Sequence, residues 1–216
     1  MLIEGTSVVL KGSWDDNPDP PGLLVIRLAP IDHRFVYGFG WNPSTQGMLR
    51  AMERVGMQNK VVLDVGTGTG ILAIAAAKMG AKKVYAVDHD KDALSYAQEA
   101  AALNSVEIEF GYPDHTDVLL ANLGDAEFVA DVAYVYSWMD KEIQAGRDPG
   151  TFIPPANAPT EAWLHDHALH FVDTTIATVP ENSDVIGKAL LDGLTVHTDI
   201  LGEGEQRFTI VTLRRP

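Results

Sequence analysis

The chain has 216 residues, 46% of them hydrophobic and 21% charged, which suits one globular domain with a full core and excludes general disorder. Its formal net charge of −14 repels a phosphate backbone, so nucleic acid is disfavoured as a partner and a basic or neutral one is favoured. It has no cysteine, no apolar run long enough to span a bilayer and no secretory pattern at its N-terminus, so a cytoplasmic, membrane-free protein without disulfides or thiolate metal sites is expected.

Gly5 to Ala29 reads as β-rich, with branched runs at Val8-Val9-Leu10 and Leu23 to Leu28. Between them Asp15 to Gly22 carries three prolines, which forbid helix. After the loop Gly38-Phe39-Gly40-Trp41-Asn42-Pro43, the pattern predicts a helix capped by Ser44 or Thr45. Met48, Leu49, Met52 and Val55 form its buried stripe and Gly56 its end. Val61-Val62-Leu63 then predicts a strand, followed by Asp64, the glycines Gly66, Gly68 and Gly70, and an alanine-rich helix over Ile71 to Lys78. A second strand is expected over Lys83 to Val87 with Asp88 at its carboxyl end, and a helix over Asp92 to Leu103. Further strands are expected at Val106 to Phe110 and Asp117 to Ala121, a helix at Phe128 to Ile143, and an extended Thr151-Phe152-Ile153. A helix at Ser183 to Leu191 and two antiparallel strands, Leu194 to Ile200 and Arg207 to Leu213, close the chain. Strands alternating with helices imply right-handed crossovers and a doubly wound, mostly parallel α/β sheet. The whole of 1–216 is expected to form one domain, with 1–36 a β-rich N-terminal extension and 37–216 the core.

The glycine loop carries the chemistry. Glycine serves where the chain turns tightly and where a ligand must approach backbone without a Cβ in the way. The spacing here is G-x-G-x-G, whereas a dinucleotide fingerprint places its third glycine one residue later; no phosphate-loop motif occurs anywhere. Asp64, at the end of the first core strand, repels a pyrophosphate but attracts a sulfonium cofactor with a free amino group. Asp88, at the next strand end, is placed to receive two ribose hydroxyls.

Residues 61–88, VVLDVGTGTGILAIAAAKMGAKKVYAVD, closely resemble the first two cofactor motifs of class I S-adenosylmethionine-dependent methyltransferases. Within that class, residues 12–123 and Phe208 to Arg215 look like the ribosomal protein L11 methyltransferase family. The loop Tyr37 to Thr45 is similar to its FGTGTHPTT signature, and Asp117 to Leu123 to its fourth-strand DVVVANIL. The chain departs from that signature in having Asn42 for the histidine and Phe39 and Trp41 for the two loop threonines. The family carries a recognition domain before the linker, so the chain is read as the catalytic domain alone.

The resemblance implies a seven-stranded sheet, S-adenosyl-L-methionine as cofactor, and roles for named residues. Gly66, Thr67, Gly68 and Gly70 wrap its methionine part, Asp64 holds its amino end, and Asp88 binds the ribose with His89 beside it. Thr45 approaches from the preceding loop, Phe110 or Tyr112 contacts the adenine, and Asn122 faces the methyl group and acceptor. The implied reaction is N-methylation of a protein or peptide. The alternatives are a small-molecule N- or O-methyltransferase and an arginine methyltransferase, whose fifth strand Gly150 to Pro154 resembles. Asn122 can orient an acceptor N–H through its carbonyl oxygen but cannot act as a base near neutral pH. His165, His167 and His170 have a spacing that metals use, but without cysteine or assigned acidic companions no metal is expected. Trp41, Tyr112, Trp138 and Trp163 are candidates to line the acceptor pocket.

Overall fold

The computed structural model describes residues 1–30, 36, 38–88, 90–111, 126–130, 174–180, 185–191, 193–201 and 208–214. The first two strands, β1 (Val8–Gly12) and β2 (Leu24–Leu28), pair in parallel as a small separate sheet. Leu2 adds an antiparallel bridge to Val9 on the outer side of β1. The loop between the strands is drawn together by charge. The buried Lys11 ammonium bonds the carbonyl of Asn17 and the carboxylate of Asp19, and Arg27 reaches the same carboxylate at 2.8 Å. The Lys11 hydrogen bond, opposed by partial desolvation and aided by Arg27, holds the Asp19 carboxyl below its usual range.

The second sheet has the order β5-β4-β3-β6-β7-β9-β8. Its strands are β3 (Val61–Val65), β4 (Lys83–Val87), β5 (Glu109–Gly111), β6 (Ala126–Ala130), β7 (Thr174–Pro180), β8 (Thr195–Leu201) and β9 (Phe208–Arg214). All neighbours pair in parallel except β9, which runs against both β7 and β8. β4 and β5 extend to one side of β3, while β6 and β7 extend to the other. The chain therefore reverses its direction of travel at β3, and a crevice opens beyond the carboxyl ends of the strands there.

Three helices flank the first half: α1 (Pro43–Val55), α2 (Ile71–Lys78) and α3 (Lys91–Leu103); α4 (Val185–Leu191) packs on β8. α2 is apolar on every side, with Ile71 through Ala76 all buried, because it lies between two sheets: β2 covers its outer side, and β3 and β4 its inner side. α3 completes the outer layer. Its Tyr96 hydroxyl donates to the Ala29 carbonyl at 2.6 Å, and Asn104 at its end acts as a stand-in strand for the open edge of β2. The Asn104 carboxamide accepts from the Arg27 amide at 2.9 Å and donates to the Arg27 carbonyl at 2.7 Å. These contacts satisfy backbone groups that a two-stranded sheet otherwise leaves unpaired.

Several elements differ from the sequence expectation. α1 begins at Pro43, with Asn42 at the capping position, so Ser44 and Thr45 lie inside the first turn and are buried. Proline is pre-organised for a first helical position, and this sets the boundary ahead of the hydroxyl residues. α3 begins at Lys91, because Asp90 accepts the Asp92 amide and caps it. The expected strand Val106 to Phe110 shortens and shifts to Glu109–Gly111: the Val106 amide is used to close the end of α3 on the Ala101 carbonyl.

Phe128, expected to open a helix, lies instead in β6 opposite Leu63. A short apolar run such as 126–130 reads equally as buried strand or helix by period alone. The strand beside β3 on that side is β6; the expected strand Asp117 to Ala121 lies outside the described residues, together with Asn122. β7 was not expected at all, while the antiparallel pair β8 and β9 matches the sequence reading within one residue at each end.

Replacing Asn104 with leucine keeps the volume but removes the clamp on Arg27. We expect a loss of about 2 kcal/mol in urea unfolding, since two strand-edge groups lose their partner. A change below about 0.5 kcal/mol would mean that packing alone closes the N-terminal sheet onto α3.

Candidate functional site

The site lies where β3 and β4 end. Val65 of β3 leads into the glycine loop, and the amides of Gly66 and Thr67 both donate to the Val87 carbonyl, at 2.9 and 3.0 Å. That forked contact seats the loop on the last residue of β4. Gly66, Gly68 and Gly70 all have positive φ, at 75°, 52° and 79°, a region L side chains rarely occupy. Gly70 has a second reason to be glycine, since a Cβ there would lie 2.9 Å from the Ala97 Cβ on α3. The third glycine of the motif thus serves the approach of α2 to α3, and the first two shape the turn.

Two fully buried carboxylates brace this loop from either side. Asp64 Oδ2 accepts the Thr67 hydroxyl at 2.7 Å and the Ala73 amide at 3.1 Å, tying strand, loop and the first turn of α2 together. Asp88 Oδ2 accepts the Gly68 amide at 2.9 Å, while its Oδ1 accepts the Asp90 amide at 3.0 Å. Charge-assisted bonds of this kind offset the cost of burying a carboxylate. Asp64 therefore lies beneath the loop as an internal brace, and Asp88 stands at the β4 carboxyl end, joined to the loop's central amide.

A second loop covers the first. The Thr69 hydroxyl donates to the Gly38 carbonyl at 2.7 Å, and a Cβ on Gly38 would come within 3.3 Å of that same hydroxyl oxygen. Thr45 is buried in the first turn of α1, with its Oγ1 3.9 Å from where that Cβ would stand, so it lies beside Gly38 of the covering loop. Gln46 holds the covering loop from the other end, donating to the Gly40 carbonyl at 3.0 Å. Phe39 is buried between two rings: it stacks on Trp41 at 5.0 Å and meets Tyr96 edge-on at 5.5 Å. Trp41 remains more than half exposed.

Of the expected site residues, the fold gathers Thr45, Asp64, Gly66, Thr67, Gly68, Gly70 and Asp88 around one loop. Phe110 sits two strands from β3, in the row formed by Asp64 and Ala86, and packs half-buried at the edge of the core. His89, Tyr112, Asn122, Trp138, Trp163, His165, His167 and His170 lie outside the described residues, as does Gly150 to Pro154. Sequence reasoning does not single out Thr69 and Gln46, and it names Phe39 only as a departure from the family signature. Thr69 was visible as the second variable position of the glycine motif, but nothing in its spacing shows that its hydroxyl faces another loop. No group of three or more potential metal ligands occurs among the described residues.

A profile of the family described as ribosomal protein L11 methyltransferase (PrmA) matches residues 4–132, more than half of the chain. The chain belongs to that family. It is 42% identical over 125 residues to the ribosomal protein L11 methyltransferase of Geobacter sulfurreducens, covering 55% of this chain and 40% of the relative. With the corresponding protein of Geobacter metallireducens the identity is 41% over 155 residues, covering 69% and 48%. The chain thus matches less than half the length of these relatives.

Among solved structures, the ribosomal protein L11 methylase from Lactobacillus delbrueckii subsp. bulgaricus superposes with a TM-score of 0.61. The two are 21% identical, over 97% of this chain and 96% of the other. Magnesium protoporphyrin IX methyltransferase from Synechocystis PCC 6803, solved with bound S-adenosylmethionine, gives 0.53 at 15% identity, over 80% and 78%. These likenesses show the Rossmann-like fold of class I methyltransferases.

Alanine at Gly70 meets both an unfavourable φ and Ala97, whereas alanine at Gly22 meets a similar φ of 77° in open space. We expect Gly22→Ala to lose about 1 kcal/mol and Gly70→Ala about 2–3 kcal/mol in chemical denaturation. Equal losses would show that α3 yields without cost.

Proposed function

We propose that this member of the L11 methyltransferase family binds S-adenosyl-L-methionine in the crevice above β3 and β4 and transfers its methyl group to an amine nitrogen of a protein or peptide. The observation that carries the reading is the hydrogen bond from the Gly68 amide to Asp88. It sets a carboxylate beside a glycine turn at the switch point of a parallel sheet. A carboxylate at the carboxyl end of the second strand is the acceptor that two vicinal ribose hydroxyls require in a sheet of this kind. Gly66 and Gly68, lacking Cβ atoms, leave the backbone open to a ligand's close approach. The residues present therefore fit the cofactor that the family implies.

Bound S-adenosylmethionine supplies a methyl group already activated by its sulfonium. What remains for the chain is to hold donor and acceptor in line and to exclude water. Asp88, with His89 beside it, is assigned to the ribose, Phe110 and Tyr112 to the adenine, and Gly66, Thr67, Gly68 and Gly70 to the methionine part. Asp64 acts on that end through Thr67 and the start of α2, and its negative charge favours the amino group there. Thr45, held beside the loop by the first turn of α1, closes the near side. Asn122 is assigned to accept a hydrogen bond from the acceptor N–H and so direct the nitrogen lone pair. We further read 37–216 as the methyltransferase core and 1–36 as its extension, acting in the cytoplasm.

The protein acceptor follows from the relatives, whose names specify ribosomal protein L11, and from the acidic charge of the chain, which favours a basic partner. A small-molecule acceptor is the second reading. It is favoured by one observation: the exposed Trp41 ring, stacked on Phe39, offers a flat apolar surface where the family motif has threonines.

Calorimetric titration with S-adenosylmethionine, S-adenosylhomocysteine and NAD tests the cofactor. The first two should bind in the micromolar range and NAD should not; binding of NAD alone would overturn the assignment. Asp88→Ala should weaken S-adenosylmethionine more than tenfold, and unchanged affinity would remove Asp88 from the ribose. Asn122→Ala should leave cofactor affinity within about twofold while lowering methyl transfer to ribosomal protein L11 by at least tenfold. Transfer persisting at the wild-type rate would place acceptor orientation elsewhere.

A further inference from the structure

The two edges of the seven-stranded sheet are built differently. β5 is three residues long, and its first, Glu109, is largely exposed and ion-paired to Lys83 at 2.8 Å. Short length and charge are the usual means by which proteins keep a sheet edge from recruiting another strand. β8 has neither. It runs for seven residues in unbroken one-to-one register with β9, contains no lysine, arginine or proline, and has no bulge. Among the described residues no strand pairs with its other side.

The sequence of this edge is self-complementary. Consider a second copy of β8 laid antiparallel beside the first, with the two-fold axis through Thr198. His197 then faces Asp199 of the second copy, Val196 faces Ile200, and Thr198 faces Thr198. An imidazole–carboxylate pair, a branched aliphatic pair and a threonine pair are each favourable across antiparallel strands. Moving the axis by one residue to His197 loses all three, since it sets His197 on His197 and Val196 on Thr198. The structure also holds the acidic member in place: Asp199 Oδ2 accepts from Arg54 at 2.8 Å, and its Oδ1 lies 3.5 Å from His197 Nε2 of the same strand. Apolar surface accompanies the edge. Ile200 is 56% exposed, and Leu190 and Leu191 on α4, the helix packed on β8, are 59% and 88% exposed.

We propose that β8 is the interface through which two copies of this chain associate, pairing antiparallel about a two-fold axis at Thr198. Such an isologous contact satisfies the open backbone groups of both edges at once and closes on itself, so it yields a dimer and not a fibre. One strand pair buries less than the roughly 1,200 Å² typical of tight complexes. The dimer is therefore a weak and reversible one, with Ile200, Leu190 and Leu191 providing its apolar part. This inference is independent of the cofactor and acceptor assignments.

Sedimentation velocity on the intact chain, between about 10 and 200 µM, reads the association directly. Wild type should show a concentration-dependent monomer–dimer equilibrium. Thr198→Lys, which sets two ammonium groups against each other at the axis, should weaken it at least about fivefold. An equimolar mixture of Thr198→Lys and Thr198→Glu should restore it. Because the chain has no cysteine, cross-linking gives the register independently. Opposed residues in an antiparallel pair have Cα atoms about 4.5–5.5 Å apart, within disulfide reach. Thr198→Cys should therefore oxidise to a covalent dimer. Ile200→Cys, about 13 Å from its counterpart in this register, should not. A wild type that stays monomeric throughout, a dimer indifferent to Thr198→Lys, or equal cross-linking at both positions would each overturn the proposal.

Discussion

The bond from the Gly68 amide to the Asp88 carboxylate, 2.9 Å long and fully buried, is the interaction around which the carboxyl end of the sheet is arranged. It can form because the Gly66 and Thr67 amides are both anchored on the Val87 carbonyl, which brings the loop directly over the end of β4. That seating in turn depends on β3 and β4 being adjacent and parallel in the register Val65 to Val87. Asp64 secures the same loop from beneath through Thr67 and Ala73, so that both carboxylates act on the turn from opposite sides. A buried carboxylate without such donors would be costly, and a glycine-rich turn without such anchors would be mobile. Each solves the other's problem.

The small N-terminal sheet is coupled to this arrangement through the helices. α2 starts at the glycine loop and is apolar all round, so it requires cover on the side away from β3, and β2 provides it. α3 approaches α2 closely enough that Gly70 has no room for a side chain, and it holds β2 by Asn104 and the end of β2 by Tyr96. The covering loop over residues 38–41 closes the set, joined to the glycine loop by Thr69, to α1 by Gln46 and to α3 by the Phe39 ring. The described residues assigned to cofactor binding are thus held by elements that lie between β1 and β5, within the residues 4–132 that the family profile matches.

Much of this was legible because local signals agreed. Val61 to Val65, the three glycines and the alanine-rich run after them specify strand, turn and helix by composition and spacing, and the flanking carboxylates follow at strand ends. The start of α1 was misjudged because Ser44 and Thr45 are ordinary capping residues, yet Pro43 is better suited to the first helical position and displaces them inward. β6 is not legible in the sequence because a five-residue segment with Glu127 in it is too short to show a period. β7, rich in β-branched residues but ending in proline, went unseen beside a proline-interrupted stretch. Thr69, Gln46 and Phe39 stayed hidden because their roles are contacts to loops far along the chain or to another helix, and no spacing rule encodes these.

The sequence by itself determined the glycine loop, its two acidic residues, the parallel α/β class and the family likeness, since each rests on residues close together in the chain. The tertiary structure decided which atoms those residues use. It made Asp64 an internal brace and joined Asp88 to Gly68, it gave Gly70 to helix packing, and it set Ala126–Ala130 beside β3. Among the described residues it also left β8 as a seven-residue edge without lysine, arginine or proline, its one carboxylate held by Arg54. These are questions of which backbone groups find partners across tens of residues, and they are settled when sheets and helices pack against one another.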